Sequence, residues 1–134
     1  MPFWRLYYHL VWSTKDRLPL ITENIEKDLV GYIAGKSDFL GCQIQALGCV
    51  ENHIHIVVSI PPTIAVADYI SKIKGASSHH VNHQLLPRPN SFRWQEGYGA
   101  FSISQKQLKH VVEYVVNQKE HHRKQTLIPI FEQQ

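Results

Sequence analysis

Residues 3–12 alternate, with Trp4, Leu6, Tyr8, Leu10 and Trp12 on one side and Arg5, Tyr7, His9 and Val11 on the other. A period of two is that of a strand with two different faces, so the chain opens by building a sheet. After the polar stretch Ser13 to Arg17, Thr22 is placed to cap a helix whose stripe is Ile25, Leu29 and Ile33 and which ends before Gly41. Gln43–Val50 and His53–Ile60, joined by Glu51-Asn52, read as a hairpin closed by Pro61-Pro62. From Thr63 a second helix carries Ala67, Ile70, Ile73, Ser77 and Val81 at helical spacing, and Pro87 and Pro89 end it. A last strand and a loop fall around Arg93-Trp94, the glycine-broken bend Gly97-Tyr98-Gly99, and Ala100 to Ile103. Ser104, with Gln107 three residues on, opens a third helix striped by Leu108, Val111, Val112, Val115 and Val116. The order β-α-β-β-α-β-α predicts an α+β fold: a ferredoxin-like split βαβ (β-α-β-β-α-β) antiparallel sheet with an added C-terminal helix.

A length of 134 residues fits a single domain, 1–134. A (β/α)₈ barrel, which needs roughly 250 residues, is excluded. With 43% hydrophobic and 19% charged residues the chain is globular rather than disordered. Apolar runs such as Ala46–Val50 and Ile54–Val58 fall far short of the roughly 20 residues a spanning helix needs. The opening stretch, with Arg5 and His9 inside it, is a poor secretory signal. A cytoplasmic protein without a membrane partner is the expectation. Cys42 and Cys49 lie at odd spacing in or beside one strand, which predicts side chains on opposite faces that stay reduced.

The net charge of +3 is uneven, −1 over residues 1–51 and +4 over the rest, and eight of the nine histidines follow residue 51. That balance permits a nucleic-acid partner without demanding one.

His53-Ile54-His55 falls on a strand, with Ile54, Ile56, Val58 and Ile60 sharing the face toward the helices and both histidines on the other. Two imidazoles so placed can converge on one divalent cation, although an incidental pair is equally compatible with the motif. Three familiar histidine sites do not fit. The third alternating position is Val57, no His-x-His-x-Asp-His continuation follows, and no second His-x-Ser/Thr element exists. On the third helix Tyr114 and Gln118 sit one turn apart at the edge of the apolar stripe. A boundary tyrosine half covering the core is one reading. The other is a phenol nucleophile beside an amide oxygen that can ligate a metal. Lys72, Lys74, His79, His80 and His83, together with the cluster His121 to Lys124, are either solvated polar surface or phosphate contacts, and Trp94, Tyr98 and Phe101 either pack or stack on bases.

The combination of Trp4-Arg5-Leu6-Tyr7-Tyr8-His9-Leu10-Val11-Trp12, His53-Ile54-His55, Trp94 to Ser102 and Tyr114-Val115-Val116-Asn117-Gln118 resembles the HUH-type single-tyrosine transposases, a family that includes the REP-associated tyrosine transposases. The likeness covers nearly the whole chain. It implies an enzyme that cleaves and rejoins single-stranded DNA through a covalent 5′-phosphotyrosine. Tyr114 would be the nucleophile, and His53, His55 and Gln118 would bind Mg²⁺ or Mn²⁺. It also implies DNA hairpins as partners, a homodimer in which the tyrosine helix can serve the partner's site, and no nucleotide cofactor. Arg5, Lys72, Lys74, Arg93, Tyr98, Arg123 and Lys124 are the candidate DNA contacts. A dimer is further suggested by the sheet face of Arg5–Val11 and His53–Ser59, which no predicted helix covers. Two alternatives stand beside this reading: a non-catalytic single-stranded nucleic-acid-binding module, and a domesticated, inactive copy.

Overall fold

The computed structural model describes residues 3–86 and 91–117. The elements are β1 (Tyr7–Ser13), a 3-10 turn (Lys15–Arg17), α1 (Glu23–Phe39), β2 (Gln43–Val50), β3 (His53–Ser59), α2 (Val66–His80) continued by a π-helical turn (Val81–Leu85), β4 (Gly99–Ile103) and α3 (Gln105–Val116). The strands form one antiparallel sheet in the order β2-β3-β1-β4. This is the ferredoxin-like arrangement with one added helix that the element order predicts. The first strand begins at Tyr7, so residues 3–6 of the alternating stretch lie outside it. No helix among the described residues is long and apolar enough to cross a membrane.

One sheet face is dry. Tyr8, Leu10 and Trp12 of β1 and Ile54, Ile56 and Val58 of β3 pack against Ile25, Leu29 and Ile33 of α1 and Tyr69, Ile70 and Ile73 of α2. Each such side chain contributes about 1.5–3 kcal/mol on burial, which makes this layer the main source of cohesion. The α2 stripe differs from the expected one, since Ala67 is exposed and Tyr69 is buried in its place. The phenol can be accommodated because its hydroxyl lies 2.7 Å from the Ser37 hydroxyl on α1. Burial pushes its pKa up, despite that bond.

Cys42 and Cys49 do not point to opposite faces. Cys42 precedes β2, and a β-bulge between Ile44 and Ala46 shifts the register by one residue. Ile44 and Leu47 therefore both face the dry layer, Ala46 faces away, and both cysteines join the same core as free thiols.

The other sheet face is covered as well, contrary to expectation. The Ser104 hydroxyl accepts from the Gln107 N–H and starts α3, which folds back onto that face. There Val111, Tyr114 and Val115 pack with Ala46, Val57 and Ile103, flanked by Tyr7, Leu108 and Val112. The buried stripe of α3 is rotated toward Tyr114, and Val116, expected inside, is 65% exposed.

The segment leading to β4 is pinned by Asn82. Its Nδ2 donates to the Phe92 carbonyl at 2.9 Å and its Oδ1 accepts from the Phe92 N–H at 2.8 Å. Trp94 then lies edge-on to Trp12, and its indole N–H donates to the Ser77 hydroxyl at 3.0 Å. Asn82→Ala strands a buried backbone donor and acceptor together, so chemical denaturation is expected to show a loss of about 2–4 kcal/mol. A change below about 0.5 kcal/mol, the range of ordinary surface substitutions, would remove this clamp from the account.

Candidate active site

Every residue of β3 is buried, because the strand lies inside the sheet and both faces are covered. Its alternation gives Ile54, Ile56 and Val58 to the dry layer and leaves His53, His55 and Val57 on the α3 side. The rings of His53 and His55 lie 5.2 Å apart, centre to centre, inclined at 66°. Tyr114 reaches the same place from α3, its ring edge-on to that of His55 at 6.0 Å and 74°. Exposure of the three is 2%, 0% and 3%.

Neighbours fix the rings. His53 Nδ1 lies 2.8 Å from Asn52 Oδ1, and because an amide oxygen only accepts, Nδ1 carries the hydrogen and Nε2 keeps its lone pair. Asn52 is itself held by the residue that follows β1, for its carbonyl accepts from the Thr14 N–H at 2.9 Å and from the Thr14 hydroxyl at 3.2 Å. His9, which the sequence places on the same sheet face as the histidine pair if β1 neighbours β3 and otherwise leaves as an incidental histidine, is 1% exposed with Nε2 2.8 Å from His55 Nδ1. A signal for it existed in the ferredoxin-like strand order, which makes β1 and β3 neighbours. The register that sets His9 opposite Val57, diagonal to His55, was needed to turn neighbourhood into contact.

The histidine pair suits a divalent cation. Two imidazoles on one face, about 5 Å apart, can share an ion that each binds at about 2.1 Å. Among the described residues no group of three His, Cys, Asp or Glu side chains has metal-holding geometry. Gln118, the third ligand that the family resemblance implies, lies outside the described residues, as do Arg123 and Lys124.

Of the remaining candidate DNA contacts, Arg5, Lys72, Arg93 and Tyr98 are exposed. Arg5 bonds the Gln105 side chain at the start of α3 and lies over the Phe3 ring. Arg93 and Lys74 line one open groove with Lys15, Trp94 and Gln95. Lys74 is half-buried, and its ammonium donates to the carbonyls of Gln95 and Gly97 at 2.7 and 3.0 Å. Burial lowers its pKa, opposed by nearby Glu96. Trp94 packs rather than standing ready to stack on a base, and half-buried Phe101 faces His9 at 6.1 Å. Lys74→Met is accordingly expected to cost about 1–2 kcal/mol of stability in denaturation, whereas Lys72→Ala leaves stability within about 0.5 kcal/mol. Equal effects would deny Lys74 its role as an anchor for residues 95–97.

Comparison with known proteins agrees with this architecture. The family described as IS200-like transposases matches residues 2–118. The ISDra2 transposase TnpA of Deinococcus radiodurans is 24% identical over 122 residues, covering 86% of this chain and 85% of that one. The transposase for insertion sequence element IS200 of Salmonella typhimurium is 24% identical over 121 residues, covering 87% and 79%. Among solved structures, one assigned as a transposase from Deinococcus radiodurans R1 superposes with a TM-score of 0.70 at 21% identity, covering 87% of this chain and 93% of that one. A REP-associated tyrosine transposase bound to a REP hairpin superposes with a TM-score of 0.66 at 17% identity, covering 91% and 74%. These two show the same fold. With the family match spanning nearly its whole length, the chain belongs to the IS200-like transposase family.

Proposed function

We propose that this transposase acts on single-stranded DNA, cutting and rejoining it through a covalent 5′-phosphotyrosine on Tyr114, with His53, His55 and Gln118 as the ligands of Mg²⁺ or Mn²⁺. The observation that carries the reading is the meeting of Tyr114 with the histidine pair on one buried sheet face, 6.0 Å ring to ring. A bound divalent ion would polarise the scissile phosphate and lower the cost of bringing an anionic nucleophile to it.

The rest is the work of the chain. Tyr114 gives up its phenolic proton, and its oxygen attacks phosphorus in line with the 3′ oxygen. The tyrosyl O–P bond forms as the P–O3′ bond breaks, and the departing 3′ oxygen takes up a proton. One phosphodiester has replaced another, so a new 3′-hydroxyl can reverse the step without a nucleotide cofactor. Hairpin DNA is the partner we assign, supported by the relative bound to a REP hairpin and by exposed Arg5, Lys72, Arg93 and Tyr98.

The dimer also belongs to this proposal and rests on the family resemblance, because α3 covers the sheet face that had suggested it. Tyr114 lies beside His55 of its own chain, which supports attack within one chain.

With Mn²⁺ and hairpin-bearing single strands from the gene's flanks, the protein should cleave, and Tyr114→Phe should lower the rate by several orders of magnitude with binding retained. In calorimetry Gln118→Ala should weaken Mn²⁺ binding while Tyr114→Phe leaves it intact. Wild-type protein that binds the DNA without cutting it would favour the binding module or the domesticated copy. Light scattering with DNA present should give a complex whose protein part is twice the 15.5 kDa of one chain, once the mass of the bound DNA is subtracted. If dimers exchange their helices, mixing Tyr114→Phe and His55→Ala chains will restore cleavage; inactivity of the mixture is the result attack within one chain requires.

A further inference from the structure

His9 is a buried titratable group that the proposed chemistry leaves without a task. We propose that it is a positioning residue, which holds the ring of His55 and selects its tautomer so that Nε2 of His55 faces the cation. This inference rests on the metal reading of the His53–His55 pair.

Placement comes first. β1 and β3 pair so that His9 stands opposite Val57 and Val11 opposite His55, which makes His9 and His55 diagonal neighbours on the α3 side. On its other flank His9 pairs in register with Phe101 of β4. Its ring is stacked on that of His55 at 5.0 Å and 24°, with Phe101 at 6.1 Å and 43°. A ring on an inner strand, held between one ring on β3 and another on β4, has little freedom to turn.

Proton bookkeeping decides what the contact does. Only one hydrogen can lie between His9 Nε2 and His55 Nδ1, which are 2.8 Å apart. If His9 donates it, a neutral His55 carries its own hydrogen on Nε2 and that nitrogen has no lone pair to give. If His55 donates it, His55 Nε2 is a ligand and His9 is the tautomer with hydrogen on Nδ1. Metal binding through Nε2 therefore requires His9 as the acceptor, the arrangement that ligating histidines ordinarily have with an outer partner. The same pattern occurs next door, where His53 Nδ1 donates to Asn52 Oδ1 at 2.8 Å. Both rings engage Nδ1, one through an amide and the other through His9. His9 itself is no ligand in this scheme, because its Nε2 takes the hydrogen of His55.

The test uses the full chain at mildly alkaline pH, where imidazoles are neutral. Mn²⁺ binding is measured by calorimetry for the wild type, His9→Leu and His9→Gln, with circular dichroism confirming the fold. His9→Leu should weaken binding about 10–100-fold. His9→Gln, whose amide oxygen can accept the same hydrogen, should recover binding to within about threefold of wild type, a difference under about 1 kcal/mol. Long-range proton–nitrogen NMR spectra of the metal-free wild type should put the His55 hydrogen on Nδ1, a readout available even if His9→Leu does not fold. Wild-type affinity in His9→Leu, or a His55 hydrogen on Nε2, would overturn the role of His9 and leave the metal reading standing. A wild type with no affinity for Mn²⁺ would overturn both.

Discussion

The structure depends on the alternation of one inner strand covered on both sides. Strand β3 has to be apolar toward α1 and α2, where Ile54, Ile56 and Val58 join the main core. On its opposite face the same backbone carries His53 and His55 beneath α3, where an unpartnered imidazole would be expensive to bury. The fold meets that cost locally, with Asn52 bonded to His53 and His9 bonded to His55. A one-residue slip of β3 would send the histidines into the dry layer and the isoleucines under α3. Cohesion and chemistry are thus fixed by the same register.

Much of this was legible in the residues. The strand at the start, the hairpin around Glu51-Asn52, the Ser104 cap and the element order all follow from local periodicity and capping, which act within a few residues. What stayed hidden needed partners far away in sequence. The β2 bulge reverses the parity of Cys42 against Cys49, and no composition cue near Ile44 announces it. The stripe of α3 looked centred on Leu108 and Val112 when counted by hydrophobicity. Its real centre includes Tyr114, because the face it meets is partly polar and a phenol suits such a surface better than an exposed Val116. His9 was visible as a residue and invisible as a contact until the register was known.

Membership of the IS200-like transposase family and the geometry of the buried face come from separate observations, a match over residues 2–118 and the meeting of Tyr114 with His55. A tyrosine ring against a histidine pair could be mere packing in an unrelated ferredoxin-like protein. In a member of this family it is the arrangement on which the proposed strand transfer rests. The exposed basic residues have a different part in the proposal, that of phosphate contacts, which position DNA without taking part in the chemistry.

The central claim is that Tyr114 carries the cleaved strand. The most direct measurement is mass spectrometry of protease fragments from protein incubated with Mn²⁺ and a single-stranded substrate containing its hairpin. The account predicts one fragment whose mass is raised by a 5′-phosphorylated nucleotide, with fragmentation placing the bond on Tyr114. Cleaved DNA with the adduct on another residue, or with a free 5′-phosphate and no adduct at all, would contradict it.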